Sequence, residues 1–224
     1  MRQYTVDAFT NTIFSGNPAA VCILDKWLPD ELMINIACEN NLSETAFAVR
    51  ITQNHYHLRW FTPTAEIGLC GHATLATAFV IFQYYAPSSD ILTFDTLSGE
   101  LSVVQNKGRY EMTFPSYQLA SVPVTNLMQE VIGTRPIEAL IGRDLLCITP
   151  DNIDLAGLTP DFDKMVKLDG LLLHVTQKGN DYDCISRRFV LTPKSWTINY
   201  CKDLVLYCTG LSPFNFVLIR LLLS

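Results

Sequence analysis

The sequence predicts an α+β protein of two similar halves, the first a curled sheet wrapped around a central helix. Three observations carry that expectation. Residues 71–85, GHATLATAFVIFQYY, hold no charged side chain, and a helix apolar all round is a buried one. Short strand-like runs stand on both sides of this segment, so the helix is expected to be enclosed by strands. Beyond Pro115-Ser116 the order of strand and helix signals starts again without an exact repeat, which points to a second half of related build.

The elements follow in order. Gln3–Phe9 alternates as a strand, Asn11–Pro18 is turn-rich, and Ala19–Leu24 is a second strand. Pro29-Asp30-Glu31 opens a helix to about Asn40, with a proline and acids in its first turn. Its expected apolar face is Leu32, Ile36 and Cys38. Glu44–Ile51 and His55–Phe61 read as strands around a polar turn, and Pro63–Leu69 as a loop. After the buried helix come strands at Ile91–Asp95, Gly99–Gln105 and Arg109–Phe114, the last two joined by a turn at Asn106-Lys107-Gly108. The second half offers a helix at Thr125–Ile132, a strand over Glu138–Ile148, a short helix at Asp161–Lys167, and strands at Leu171–Thr176 and Tyr182–Phe189. Residues 191–224 follow neither period cleanly, although Phe216–Leu223 is apolar except for Arg220.

Composition narrows the function. The chain has 224 residues, 49% hydrophobic and 17% charged, with a net charge of −6 and a pI near 5.1. Such a chain is neither a disordered tail nor a coiled coil, and it is long enough for one large or two modest domains. Its acidity and lack of any Lys/Arg run argue against a nucleic-acid partner, whose phosphates need positive charge. A membrane partner is not expected, because residues 71–85 are too short and Thr-rich to cross a bilayer, and Gly210, Pro213, Asn215 and Arg220 interrupt Leu204–Leu223. Seven widely spaced cysteines without a CxxC pair do not form a disulfide framework. With no apolar signal core at the N-terminus, a cytoplasmic protein is expected, its cysteines mostly small buried groups. No zinc-ligand spacing stands out apart from Cys70 and His72, and no metal is expected. The partner expected is a small molecule. The apolar tail and open sheet edges are compatible with self-association as a homodimer.

Three segments carry possible chemistry. In Leu69-Cys70-Gly71-His72 the buried helix begins, and its unpaired amides and positive dipole end suit a carboxylate or a developing enolate. A thiol there has a lowered pKa. The plain alternative is a tight strand–helix junction capped by His72. In Ser43-Glu44-Thr45 a carboxylate enters an apolar strand, where burial raises its pKa toward neutrality; otherwise it is an edge glutamate facing water. In Gly16-Asn17-Pro18 the Asn amide is placed to bind a carboxylate, or the segment is an ordinary turn.

Taken in order, Gly16-Asn17-Pro18-Ala19-Ala20-Val21, Asn41–Phe47, Arg59-Trp60-Phe61-Thr62-Pro63 and Leu69–Thr74 resemble the phenazine-biosynthesis (PhzF-like) family, relatives of diaminopimelate epimerase. The resemblance is close over residues 3–115 and looser to about Phe189. It implies the diaminopimelate epimerase-like α+β fold, with an N-terminal half at 1–115, a C-terminal half at 116–224 and an active site in the cleft between them. It also implies a cofactor-independent isomerase that moves a proton on a small-molecule carboxylic acid. Glu44 falls on the general acid/base, and His72 on the residue that positions substrate or relays the proton. Asn17, Ser43, Gly71 and Thr74 fall among the substrate-binding positions, and Cys70 on the catalytic cysteine of diaminopimelate epimerases and proline racemases.

The chain departs from this family after about Phe189. The family's second signature, approximately E-D-P-x-x-G-S-A, opens the central helix of the second half. Here Val190–Val205 lacks its glycine and serine, and the closing strands are not evident. The expectation is a truncated or frame-disrupted tail and an incomplete second half. Two other functions therefore stand beside the isomerase: a Cys70-based epimerase or racemase, and a remnant that keeps the fold without catalysis.

Overall fold

The computed structural model describes residues 1–10, 12, 14, 16–106, 109–115, 118–179, 184–191, 206–208 and 216–221. By internal contacts the chain divides into a unit of Met1–Pro115 with Arg220–Ser224 and a unit of Ser116–Ile219.

In the first unit, β1 (Arg2–Ala8) and β2 (Asn17–Leu24) form an antiparallel pair. Helix α1 (Asp30–Asn40) then leads to β3 (Thr45–Arg50), which lies parallel to β2 and antiparallel to β4 (His55–Phe61). Helix α2 (Gly71–Tyr84) crosses over to β6 (Ile91–Thr96), parallel to β4, and β7 (Gly99–Asn106) and β8 (Arg109–Pro115) complete a meander. The two-residue β5 (Glu66–Ile67) pairs with β4. The sheet order is β1-β2-β3-β4-β6-β7-β8, continued by β15 (Phe216–Leu221).

This sheet curls around α2, as the sequence predicts. Ten of the helix's residues are buried. At its C-terminal end Tyr84 stacks on Tyr4 of β1, with ring centroids 5.2 Å apart, while Phe79 and Phe82 pack on Tyr110 of β8. Strands at opposite ends of the meander thus touch one helix, which a flat sheet could not achieve. Thr74 and Thr77 survive in this apolar interior because their hydroxyls donate to the carbonyls of Cys70 and Ala73, four residues back.

Helix α1 covers the other side of β2–β4. The expected face of Leu32, Ile36 and Cys38 is corrected: Met33 and Ala37 are buried against Cys22, Leu24, Phe47 and Phe61, Ile36 packs at the margin, and Leu32 and Cys38 are exposed. The acids at Asp30 and Glu31 do open the helix. Pro63–Leu69 is also not wholly a loop, since β5 lies within it. Arg59 holds Glu66 there through two hydrogen bonds of 2.7 Å and holds Asp30 through one of 2.9 Å.

The second unit contains the sheet β14-β13-β12-β11-β10-β9. Its elements are β9 (Ala120–Val122), α3 (Asn126–Ile132), β10 (Glu138–Ile141), β11 (Leu145–Ile148), α4 (Phe162–Met165), β12 (Leu172–Lys178), β13 (Cys184–Val190) and β14 (Leu206–Cys208). The single strand expected over Glu138–Ile148 is two, folded back at Gly142-Arg143-Asp144. Met128, Val131 and Ile132 of α3 pack with Leu145, Cys147, Leu173 and Val175 in its core. Buried Arg187 donates to the carbonyls of Leu155, Ala156 and Leu158, tying an irregular segment to β13. The expectation of a tail without strands is corrected at Leu206–Cys208 and Phe216–Leu221, whose apolar and aromatic residues suit strand pairing. Most of Val190–Val205, where the second signature was sought, lies outside the described residues, as does the turn at Lys107-Gly108.

Candidate active site

Two chain junctions build the site. At the first, Asn40 ends α1, Asn41 takes a left-handed conformation with φ of 49°, and the chain turns into β3. Glu44 is the residue immediately before that strand rather than within it. Its carbonyl accepts from Ala20 N at 3.3 Å, which locks it beside β2. At the second junction the chain passes from β5 through Gly68-Leu69 to Cys70, the extended residue before α2.

These junctions bring three side chains together. His72 Nε2 lies 3.2 Å from Glu44 Oε2, and its other ring nitrogen, Nδ1, lies 3.4 Å from Cys70 Sγ. The His72 side chain is 4% exposed and that of Glu44 12%. One imidazole therefore stands between a thiol and a carboxylate in a nearly water-free setting. Because the proton on one ring nitrogen sets the role of the other, a change at Glu44 is transmitted to Cys70.

Helix α2 adds a field. Its first intrahelical bond runs from Thr74 N to Cys70 O, so the amides of Gly71, His72 and Ala73 lie in the turn that lacks intrahelical acceptors. With the helix dipole they make a place for negative charge beside Glu44 and Cys70. This arrangement can accept a carboxylate or carbanion and move a proton to and from it.

The remaining expected residues lie at these junctions, on α2 or at the start of β2. Asn17 is not in a loop: it is the buried first residue of β2, paired with Ala8, three positions before Ala20. Gly16 precedes it because a Cβ there would collide with the backbone oxygen of Ala8. Ser43 is half-buried beside Glu44. Thr74 is fully buried, and its hydroxyl proton is engaged by Cys70 O at 2.6 Å.

Sequence reasoning missed Phe9, whose ring centroid lies 6.3 Å from that of His72 and whose φ is 68°. A bulky residue in that region is a strained one. No local sequence signal marks it. The role of Arg59 was also missed. Its guanidinium sits 5.3 Å from the Trp27 ring and 5.0 Å from the Phe61 ring while bound to Glu66 and Asp30, so it braces the strand that flanks the site.

Donor atoms of Glu44, Cys70 and His72 all lie within 4.8 Å of one another. The thiol and carboxylate address opposite ring nitrogens, and one imidazole cannot give both to a single ion. The trio is better arranged as a proton relay than as a chelate. Cys22 and Cys147, by contrast, are pushed up to about 12 by burial and remain thiols.

Comparison with known proteins agrees with the architecture. The family described as phenazine biosynthesis-like protein matches residues 6–196. An uncharacterized isomerase of Pseudomonas aeruginosa is 44% identical over 186 residues, covering 83% of this chain and 71% of that protein. A PhzF-family crystal structure from Enterococcus faecalis superposes with a TM-score of 0.82 at 39% identity, covering 97% of this chain and 94% of that one. A hydroxyproline epimerase from Agrobacterium vitis, at 10% identity and a TM-score of 0.52, shares the fold, over 97% of this chain and 87% of that one.

Proposed function

Because the chain belongs to the phenazine biosynthesis-like protein family, we propose that it is an isomerase that moves a proton on a small carboxylic acid, with Glu44 as general acid/base. The observation that carries this reading is the nearly buried Glu44–His72 contact at the start of α2. Glu44 takes a proton from a carbon activated by the substrate's carboxyl or by a conjugated double bond. The carbanion is held by the Gly71 and His72 amides, and the protonated Glu44, which exchanges its proton with solvent, delivers a proton to another carbon, so atoms and charge balance. His72 orients Glu44 and couples it to Cys70, while Asn17 and Ser43 face the substrate's carboxylate. Neither metal nor cofactor enters the step. A cytoplasmic location belongs to the same reading, in keeping with the free thiols at Cys22, Cys38 and Cys147.

The test is incorporation of solvent deuterium, followed by proton NMR in D₂O with a panel of amino acids and cyclohexadiene carboxylic acids. We expect exchange at carbon in at least one acid, and a loss of about 10²–10⁴-fold in Glu44→Gln. Equal exchange in the two proteins would overturn the role of Glu44.

Cys70 supports a second reading, because its thiol contacts the same imidazole at the helix start. A thiol-based racemase would lose exchange in Cys70→Ser and keep it in Glu44→Gln. The family match ends at residue 196, which is the ground for the remaining alternative, a fold retained without turnover. No exchange with any acid, in a protein that melts cooperatively, would favour it.

A further inference from the structure

The outer face of the first sheet carries a second group of histidines and carboxylates, remote in role from the α2 cluster. In β4 the buried residues Tyr56 and Leu58 alternate with His55 and His57, which therefore point together to the outer side. Register places His57 opposite Asp95 of β6, and Asp95 opposite Glu100 of β7. The sequence separates these residues by about forty positions, but three neighbouring strands put them in one row.

Their geometry converges. His55 Nε2 lies 3.0 Å from Asp95 Oδ1, and His57 Nδ1 lies 3.7 Å from Asp95 Oδ2, so both imidazoles aim at one carboxylate. Donor atoms of His55, Asp95 and Glu100 all lie within 4.8 Å of one another. His55 Nε2 is itself a buried atom that makes no hydrogen bond, despite its closeness to Asp95. A nitrogen and an oxygen that share one ion at about 2.0–2.2 Å from each stand roughly 3 Å apart without any hydrogen between them. The side chains of His55, His57 and Asp95 are about one-third to one-half exposed, so the cluster opens to solvent although His55 Nε2 itself is covered.

We propose that His55, His57, Asp95 and Glu100 form a binding site for a divalent transition-metal ion of the zinc type. Two neutral imidazoles with carboxylate oxygens suit zinc, nickel or copper, whereas calcium and magnesium prefer all-oxygen shells. The site bridges a thin seam. Strands β4 and β6 pair over only His55–His57 and Thr93–Asp95, while each pairs over six residues with its other neighbour. An ion held here ties the two strands that α2 connects, and so braces the sheet around the helix.

Titration calorimetry of the full chain with zinc chloride tests this, alongside thermal melting with and without zinc. We expect one zinc site whose occupation raises the melting temperature. The double variant His55→Asn/His57→Asn should bind at least about tenfold more weakly, since even outer partners of metal ligands cost that much. Asp95→Asn, which leaves both imidazoles in place, serves as the second probe should the double variant fold poorly, and it should weaken binding in the same direction. Cys70→Ser and Cys38→Ser should bind as the parent does. Unchanged affinity in the sheet variants, loss of binding in Cys70→Ser instead, or no zinc uptake by the parent would each overturn the proposal.

Discussion

His72 beside Glu44 and His55 beside Asp95 are nearly the same pair by distance, 3.2 and 3.0 Å, yet they occupy opposite worlds. The first lies under the sheet at a helix start, with side chains 4% and 12% exposed, and shares its imidazole with a thiol. The second lies on the outer sheet face, with side chains 31% and 41% exposed, beside another histidine and another carboxylate. Burial makes proton position the variable in the first pair, because polar groups held close together and away from water depend strongly on one another. Access makes ligand binding the variable in the second. A histidine–carboxylate contact is thus not a function; its surroundings select one.

The strongest way to break this contrast is at Glu44. Glu44→Gln keeps the shape and removes the acid, so exchange chemistry should fall by about 10²–10⁴-fold while the melting temperature barely moves. A matched pair of truncations comes next. His72→Ala removes the imidazole that contacts a nearly buried carboxylate and should cost about 2 kcal/mol in urea unfolding. His55→Ala on the outer face should stay within about 0.5 kcal/mol in metal-free buffer. Equal costs would dissolve the distinction. Arg59, two residues after His57 on the same strand, bridges the two settings: Arg59→Ala should cost about 1–2 kcal/mol, and Arg59→Lys should recover less than half, because an ammonium cannot reproduce the paired bonds to Glu66.

A third pair sharpens the comparison with a smaller effect. His174 Nε2 lies 3.3 Å from Asp144 Oδ2, which Arg143 also holds. Burial alone would raise the Asp144 carboxyl, but bonds from His174 and Arg143 outweigh it and bring it from 3.8 to about 2. A group depressed on folding stabilises above its unfolded value and loses that contribution as pH falls. Between about pH 4 and pH 2 the chain should therefore lose roughly 1 kcal/mol that Asp144→Asn does not lose, after allowance for solvent screening. Denaturation curves of both proteins across that range measure it.

These contrasts also explain what was legible in the sequence. The buried helix was visible because 71–85 is uncharged, and Glu44 and His72 were visible because their motifs stand in a familiar order. The face of α1 is only partly legible: Ile36 does pack at the margin of the core, but Leu32, which looks more apolar than Met33 and Ala37, is exposed while that pair meets Phe47 and Phe61. Ala37 fits there because it is small, a property no hydrophobic count rewards. β5 escaped notice because two residues held by Arg59 leave no periodic trace. Gly16 reads as a turn residue, although its reason is the nearness of Ala8 O. The metal-binding row was invisible for a related reason. His55 and His57 lie on one strand, but their carboxylate partners come from two others, and only register joins them.

The enclosure of α2 has a consequence for how the chain is made. Tyr4 of β1 stacks on Tyr84, and its hydroxyl lies 3.2 Å from that of Tyr85. On the ribosome, β1 to β4 emerge before the helix that fills their concave side has been translated. The nascent sheet waits with Ala19, Val21, Ala46, Tyr56 and Leu58 unsheltered, and such contacts between distant residues form late. Synthesis of residues 71–84 is then the event that rescues the strands before it. Variants that weaken α2 should harm the yield of folded chain more than the stability of the molecules that do fold.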